Sequence, residues 1–166
     1  MLQTDALRIL DAGASVFLTG APGAGKTYVL NEFVKQARAR GASVAVTAST
    51  GIAATHLNGQ TIHSWSGVGV AEAMTDSLLK QIKTRRGKRI RATDILVIDE
   101  ISMMHAWLFD MVDQACRAVR RNPEPFGGLQ VVMSGDLFQL PPVAHAKRDR
   151  ELVVPPPEMV AMRERY

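Results

Sequence analysis

A chain of 166 residues with 46% hydrophobic and 22% charged side chains has the size and composition of one folded globular domain, which excludes the disordered and collagen-like classes. No apolar run approaches the roughly 18 residues of a membrane span. The N-terminus Met1-Leu2-Gln3-Thr4-Asp5 has an early acid and no basic stretch, so neither a secretory signal nor a transit peptide is visible, and a cytoplasmic protein, nucleoid-associated if bacterial, is expected. The formal charge is +4, and the single cysteine, Cys116, excludes an internal disulfide and any zinc site built from several thiolates.

Thr4 to Ala12 reads as a short helix capped by Thr4 or Asp5, with apolar Ala6, Leu7 and Leu10 and a stop at Gly13. Val16-Phe17-Leu18-Thr19 has the form of a buried strand running into a Gly/Pro-rich loop. From Lys26 the stripe Leu30, Phe33, Val34, Ala37 keeps helical spacing to near Gly41, and Val44-Ala45-Val46-Thr47 is the next strand. Lys80, Lys83, Arg85, Arg86, Lys88, Arg89 and Arg91 then place seven cations in twelve residues without an acid, and the rest of the chain holds 13 cations against 16 anions. Such a strip suits contact with a phosphate backbone or serves as a solvated face.

Ile95-Leu96-Val97-Ile98 is a third strand. Trp107, Leu108, Met111, Val112, Ala115 and Val119 mark a core-facing helix in which Cys116 packs, and Val131-Val132-Met133 is a fourth strand. Strands alternating with amphipathic helices predict an α/β fold, a mostly parallel sheet with helices on both faces. The four histidines, His56, His63, His105 and His145, lie seven, forty-two and forty residues apart, which predicts no protein-ligated zinc. Residues 144–166 are basic and proline-rich with weak periodicity, a tail expected to be partly unpacked.

Gly20-Ala21-Pro22-Gly23-Ala24-Gly25-Lys26-Thr27 fits G-x-x-x-x-G-K-[ST] between a strand and a helix, the context that phosphate binding requires. Gly20, Gly23 and Gly25 let backbone N–H groups converge on phosphate oxygens at a helix N-terminus. Lys26 then bridges the β- and γ-phosphates of ATP, and the Thr27 hydroxyl ligates Mg²⁺. The third strand ends in Asp99-Glu100, where Asp99 suits the metal and Glu100 suits acceptance of a proton from the attacking water. Alone, that pair could be solvated charge or a helix cap; beside the phosphate loop the metal and base roles are preferred.

Asp99-Glu100-Ile101-Ser102-Met103 and Gly135-Asp136-Leu137-Phe138-Gln139-Leu140-Pro141-Pro142-Val143 resemble motifs II and III of superfamily-one helicases that move 5′ to 3′. Val46-Thr47-Ala48-Ser49-Thr50-Gly51-Ile52-Ala53-Ala54 with Thr61-Ile62-His63-Ser64 is similar, more narrowly, to the Pif-one (petite integration frequency) family of DNA helicases, of a bacterial or phage type. The resemblance covers residues 3 to about 143. It implies a RecA-like P-loop domain over residues 1–143, the first motor domain of an ATP-dependent helicase. It also implies Gln139 as γ-phosphate sensor and Gln3 as the glutamine that reads adenine. Thr47, Ser49, Thr50, His63 and Ser64 fall along the path of single-stranded DNA or a single-strand/duplex junction, their polar types suiting backbone contact without base readout. A hydrogen-bonded structural role is the alternative for His63, and Trp65 could stack a base, although burial is the expectation for Trp65.

Motors of this family use a second RecA-like domain, which supplies an arginine to the γ-phosphate and half of the DNA cleft. Nothing after Val143 has the length to build it, so the chain alone is expected to be a very weak ATPase, and Arg148 and Arg150 are not expected to take that role. The alternative reading is a stand-alone module that binds ATP and single-stranded DNA without helicase activity.

Overall fold

The computed structural model describes residues 2–139 and residue 142; the tail at 144–166, with Arg148 and Arg150, lies outside the described residues. In chain order the elements are α1 (Gln3–Asp11), β1 (Val16–Thr19), α2 (Lys26–Ala39), β2 (Val44–Ala48), α3 (Gly51–His56), β3 (Gln60–Thr61), α4 (Ile62–Ser66), α5 (Asp76–Arg85), α6 (Gly87–Ala92), β4 (Ile95–Asp99), α7 (Ala106–Arg120) and β5 (Gln130–Gly135). The five strands form one sheet of order β1-β5-β4-β2-β3 in which every pairing is parallel.

Strand β4 shows why the sheet is covered on both sides. Successive strand side chains point to opposite faces, so Ile95 and Val97 join the cluster of Leu10, Leu30, Phe33 and Val132. Leu96 and Ile98 join the cluster of Trp65, Ile82, Ile90 and Val112. Parallel sheets demand this double burial, because their crossover helices lie against the faces. Helix α2 presents Val29, Leu30, Phe33 and Ala37 to the first cluster. It ends where Gly41 turns left-handed at φ 86° and the Ala42 N–H donates to the Ala37 carbonyl. Phe33 is fully enclosed. Phe33→Ala is therefore expected to cost about 3–5 kcal/mol of stability, read as a lower denaturant midpoint at unchanged slope.

Three sequence expectations change. Helix α1 starts earlier than Thr4: Leu2 is its N-cap, and Asp5, three residues on, accepts a hydrogen bond from the Leu2 N–H at 3.3 Å. The stretch from 50 to 92 contains four helices and a short edge strand that the apolar periodicity did not reveal. Three of those helices begin at threonines, with Thr50, Thr61 and Thr75 each accepting a hydrogen bond from a backbone N–H in the first turn. Thr47, expected on the DNA path, is wholly buried in β2, and its hydroxyl donates to the Val97 carbonyl at 2.7 Å, so it serves the sheet and cannot reach a phosphate. Trp65 is 1% exposed, in the core as expected. Cys116 is buried among the same residues, and burial pushes its thiol up to about 12, so it packs and does not react.

Candidate functional site

Parallel pairing brings the C-terminal ends of the strands to one edge. Thr19 pairs with Gly135, Ile98 with Met133 and Ala48 with Asp99, so the loops leaving β1, β5, β4 and β2 start side by side. Between them lies a cavity of about 350 Å³, within the size range of small-ligand sites. Gly23, Gly25, Lys26 and Thr27 line one wall, Asp99 and Glu100 come from the end of β4, and Ser134, Gly135, Asp136 and Gln139 come from β5 and the turn after it.

The phosphate-loop sequence dictates its local shape. Gly25, the N-cap of α2, has φ 86°, and a Cβ there would collide with the side-chain amide of Gln3. Glycine thus allows both the left-handed backbone and the approach of α1. The Lys26 ammonium donates to the carbonyls of Gly20 and Ala21, which draws the loop around the lysine. Gln3 lines an adjoining cleft of about 120 Å³ on the other flank of Gly25 and Lys26, together with Leu18 and Val29.

Glu100 combines two unusual features. Its backbone is left-handed at φ 54° and ψ 42°, uncommon for a residue with a side chain. Its carboxyl is held above the ordinary glutamate range, chiefly by burial and then by the neighbouring Asp99, with Asp136 adding to the effect and Lys26 opposing it. Asp136 is a residue that sequence reasoning left without a role. It is 5% exposed, one carboxylate oxygen accepts from the Phe138 N–H at 3.0 Å, and its carbonyl accepts from the Gln139 N–H at 3.0 Å. It therefore builds the turn that presents Gln139. The aspartate in Gly135-Asp136-x-x-Gln139 was the available signal.

The polar residues that follow β2 and β3 lie along the same edge, because Ala48 pairs with both Asp99 and Thr61. Ser49, expected on the DNA path, is buried, and its hydroxyl donates to the Glu100 carbonyl at 2.8 Å, so it ties the loop after β2 to the loop that holds the acids instead of facing a strand. Thr50 caps α3, His63 is half-buried on α4 with its imidazole pKa lowered by that burial, and Ser64 is exposed. Among the described residues no group of three or more His, Cys, Asp or Glu is arranged to hold a metal, and no helix is long and apolar enough to cross a membrane.

A parallel sheet with a phosphate loop after its strand β1 and carboxylates at the end of β4 defines a nucleotide-binding P-loop domain of the RecA type. Residues 5–155 match the family model of the PIF1-like helicase, and the chain belongs to that family. It is 53% identical over 145 residues to the ATP-dependent DNA helicase Pif1 of Psychrobacter sp. (strain PRwf-1), covering 86% of this chain and 22% of that protein. The crystal structure of the Pif1 helicase from Candida albicans superposes with a TM-score of 0.82 at 40% identity, over 87% of this chain and 34% of that one. The Bacteroides Pif1 helicase in complex with ADP-AlF3 and single-stranded DNA superposes with a TM-score of 0.68 at 33% identity, over 92% and 36%. The chain spans about a fifth of the length of the curated relatives it matches.

Proposed function

We propose that residues 1–143 are the first RecA-like motor domain of an ATP-dependent 5′-to-3′ DNA helicase, with 144–166 a compositionally distinct tail. In the complete protein the domain couples ATP hydrolysis to movement along single-stranded DNA. The observation that carries this reading is the meeting of Lys26, Thr27, Asp99, Glu100 and Gln139 in one cavity. The Bacteroides relative, bound to both a nucleotide analogue and single-stranded DNA, supports it.

The backbone N–H groups of the loop and the Lys26 ammonium bind the phosphates. Thr27 and Asp99 offer a hydroxyl and a carboxylate, hard oxygen donors that would hold Mg²⁺, and the ion would supply neutralisation of phosphate charge. Glu100 accepts the proton of the attacking water, a task that its raised pKa favours because a stronger base takes the proton more readily. Gln139, set by the Asp136 turn, contacts the γ-phosphate, and Gln3 reads the adenine from the adjoining cleft. Ser49 ties the nucleotide side to the DNA side, and Thr50, His63 and Ser64 line the strand path with groups suited to sugar and phosphate.

Calorimetry with ATP in the presence and absence of Mg²⁺, paired with binding of an oligo-dT strand to the same chain, tests the assignment. ATP binding that needs Mg²⁺ and binding of the strand are both expected. Nucleotide binding in a chain with no affinity for oligo-dT would overturn the motor reading.

A further inference from the structure

Six of the seven cations at 80–91 are exposed on two helices that the core holds in place. Helices α5 and α6 are pinned to the core by the buried Ile82 and Ile90. Lys80, Lys83, Arg85, Lys88, Arg89 and Arg91 all point outward, and Arg86 alone is half-buried, its stem packed beside Gly67. The carboxyl end of α6 is clasped from α7: the Arg120 guanidinium donates to the carbonyls of Ile90, Arg91 and Thr93 at 3.2, 3.3 and 2.9 Å. Arg89 donates to the Gln60 side chain on β3 at 3.1 Å, which fixes one guanidinium at the outer edge of the sheet. The acids nearest in sequence, Glu72, Asp76 and Asp94, flank the strip at its ends. The side chains of Lys80, Lys83, Arg85 and Lys88 join neither of the two ion pairs found among the described residues.

We infer that this surface is a binding site for the phosphate backbone of duplex DNA, lying off the single-strand path. The inference rests on the DNA-motor reading and adds a second point of attachment to it. Two observations favour a duplex over a single strand. Residues 76–92 contain no aromatic side chain on which an unpaired base could stack. The cations stand on two anchored helices and not on a pliable loop, which suits a stiff polyanion carrying one charge per roughly 1.7 Å of axis. Continuity with the strand path is given by chain order, since Gln60, which holds Arg89, lies three residues before His63. A junction whose single strand follows Thr50, His63 and Ser64 thereby has a basic platform beside the same sheet edge.

The test compares the full chain with a variant carrying Lys80→Gln, Lys83→Gln, Arg85→Gln and Lys88→Gln, substitutions that keep the stems and leave Arg86, Arg89 and the core untouched. Circular dichroism and ATP affinity report that the variant is folded. Binding to a blunt duplex and to oligo-dT is measured over a range of salt. Duplex affinity is expected to fall, with its salt slope shallower by about 0.9 for each phosphate that the variant no longer neutralises, while oligo-dT binding stays as in the unsubstituted chain. Unchanged duplex binding, or no duplex binding by the unsubstituted chain, overturns the inference. An equal fall in oligo-dT affinity overturns it too, by moving the strip onto the strand path. Duplex binding that depends on the four cations in a chain that ignores oligo-dT would sustain this site and sink the single-strand reading instead.

Discussion

Glu100→Gln is expected to leave ATP binding intact and to slow hydrolysis by roughly 10² to 10⁴-fold, the usual worth of a general base. The amide cannot take a proton, while Asp99 and Lys26 remain in the cavity to hold the metal and the phosphates. The measurement is a single-turnover assay with protein in excess of nucleotide, and an unchanged rate would move the base elsewhere. The pH dependence has a definite sign. Glu100 must be ionised to act, and its pKa stands above the ordinary 4.5 because of burial and the neighbouring Asp99. Hydrolysis should therefore rise with pH as Glu100 ionises and level off once ionisation is complete. Stability responds in the opposite sense: the folded state holds this proton more tightly than the unfolded chain, so stability declines as pH rises from 4.5 through the raised pKa. The glutamine variant lacks that decline.

Lys26→Ala is expected to remove measurable ATP binding. Hydrogen bonds to charged groups are worth about 1.5–3 kcal/mol each, so two phosphate contacts amount to about 3–6 kcal/mol, roughly 10² to 10⁴-fold in affinity. The substitution also deletes the donor to the Gly20 and Ala21 carbonyls and loosens the loop that the other phosphate contacts depend on. Calorimetry gives the answer directly, and equal affinity for the two proteins would refute the placement of the nucleotide.

The parts of the molecule that sequence made legible are those in which one physical demand dominates. Strands buried on both faces must be short apolar runs, and β1, β2, β4 and β5 were each found to within a few residues of their ends. The phosphate loop was legible because glycine spacing, lysine and hydroxyl must appear together between a strand and a helix. Helices α3 and α4, with six and five residues, are too short to establish an apolar period; of their threonine caps, Thr50 reads in sequence as a candidate DNA contact and Thr61 only as part of the Thr61-Ile62-His63-Ser64 run. Thr47 illustrates the same ambiguity, because a hydroxyl that completes a buried sheet and one that touches a phosphate look identical in sequence. Asp136 was hidden for another reason. Its role is to shape the turn before Gln139, and such work shows only when the acceptor and the N–H groups are seen together.

The left-handed backbone at Glu100 sets a limit on how this domain can be improved in the laboratory. A side chain in that conformation costs roughly 1–2 kcal/mol that glycine does not incur. A selection that rewards heat resistance alone would thus steer position 100 toward glycine and discard the carboxylate with the strain. The same pressure is absent at Gly25, where glycine already satisfies both backbone and packing. Directed evolution of a hardier motor must score turnover at every round, since at position 100 thermal tolerance and chemistry reward different residues.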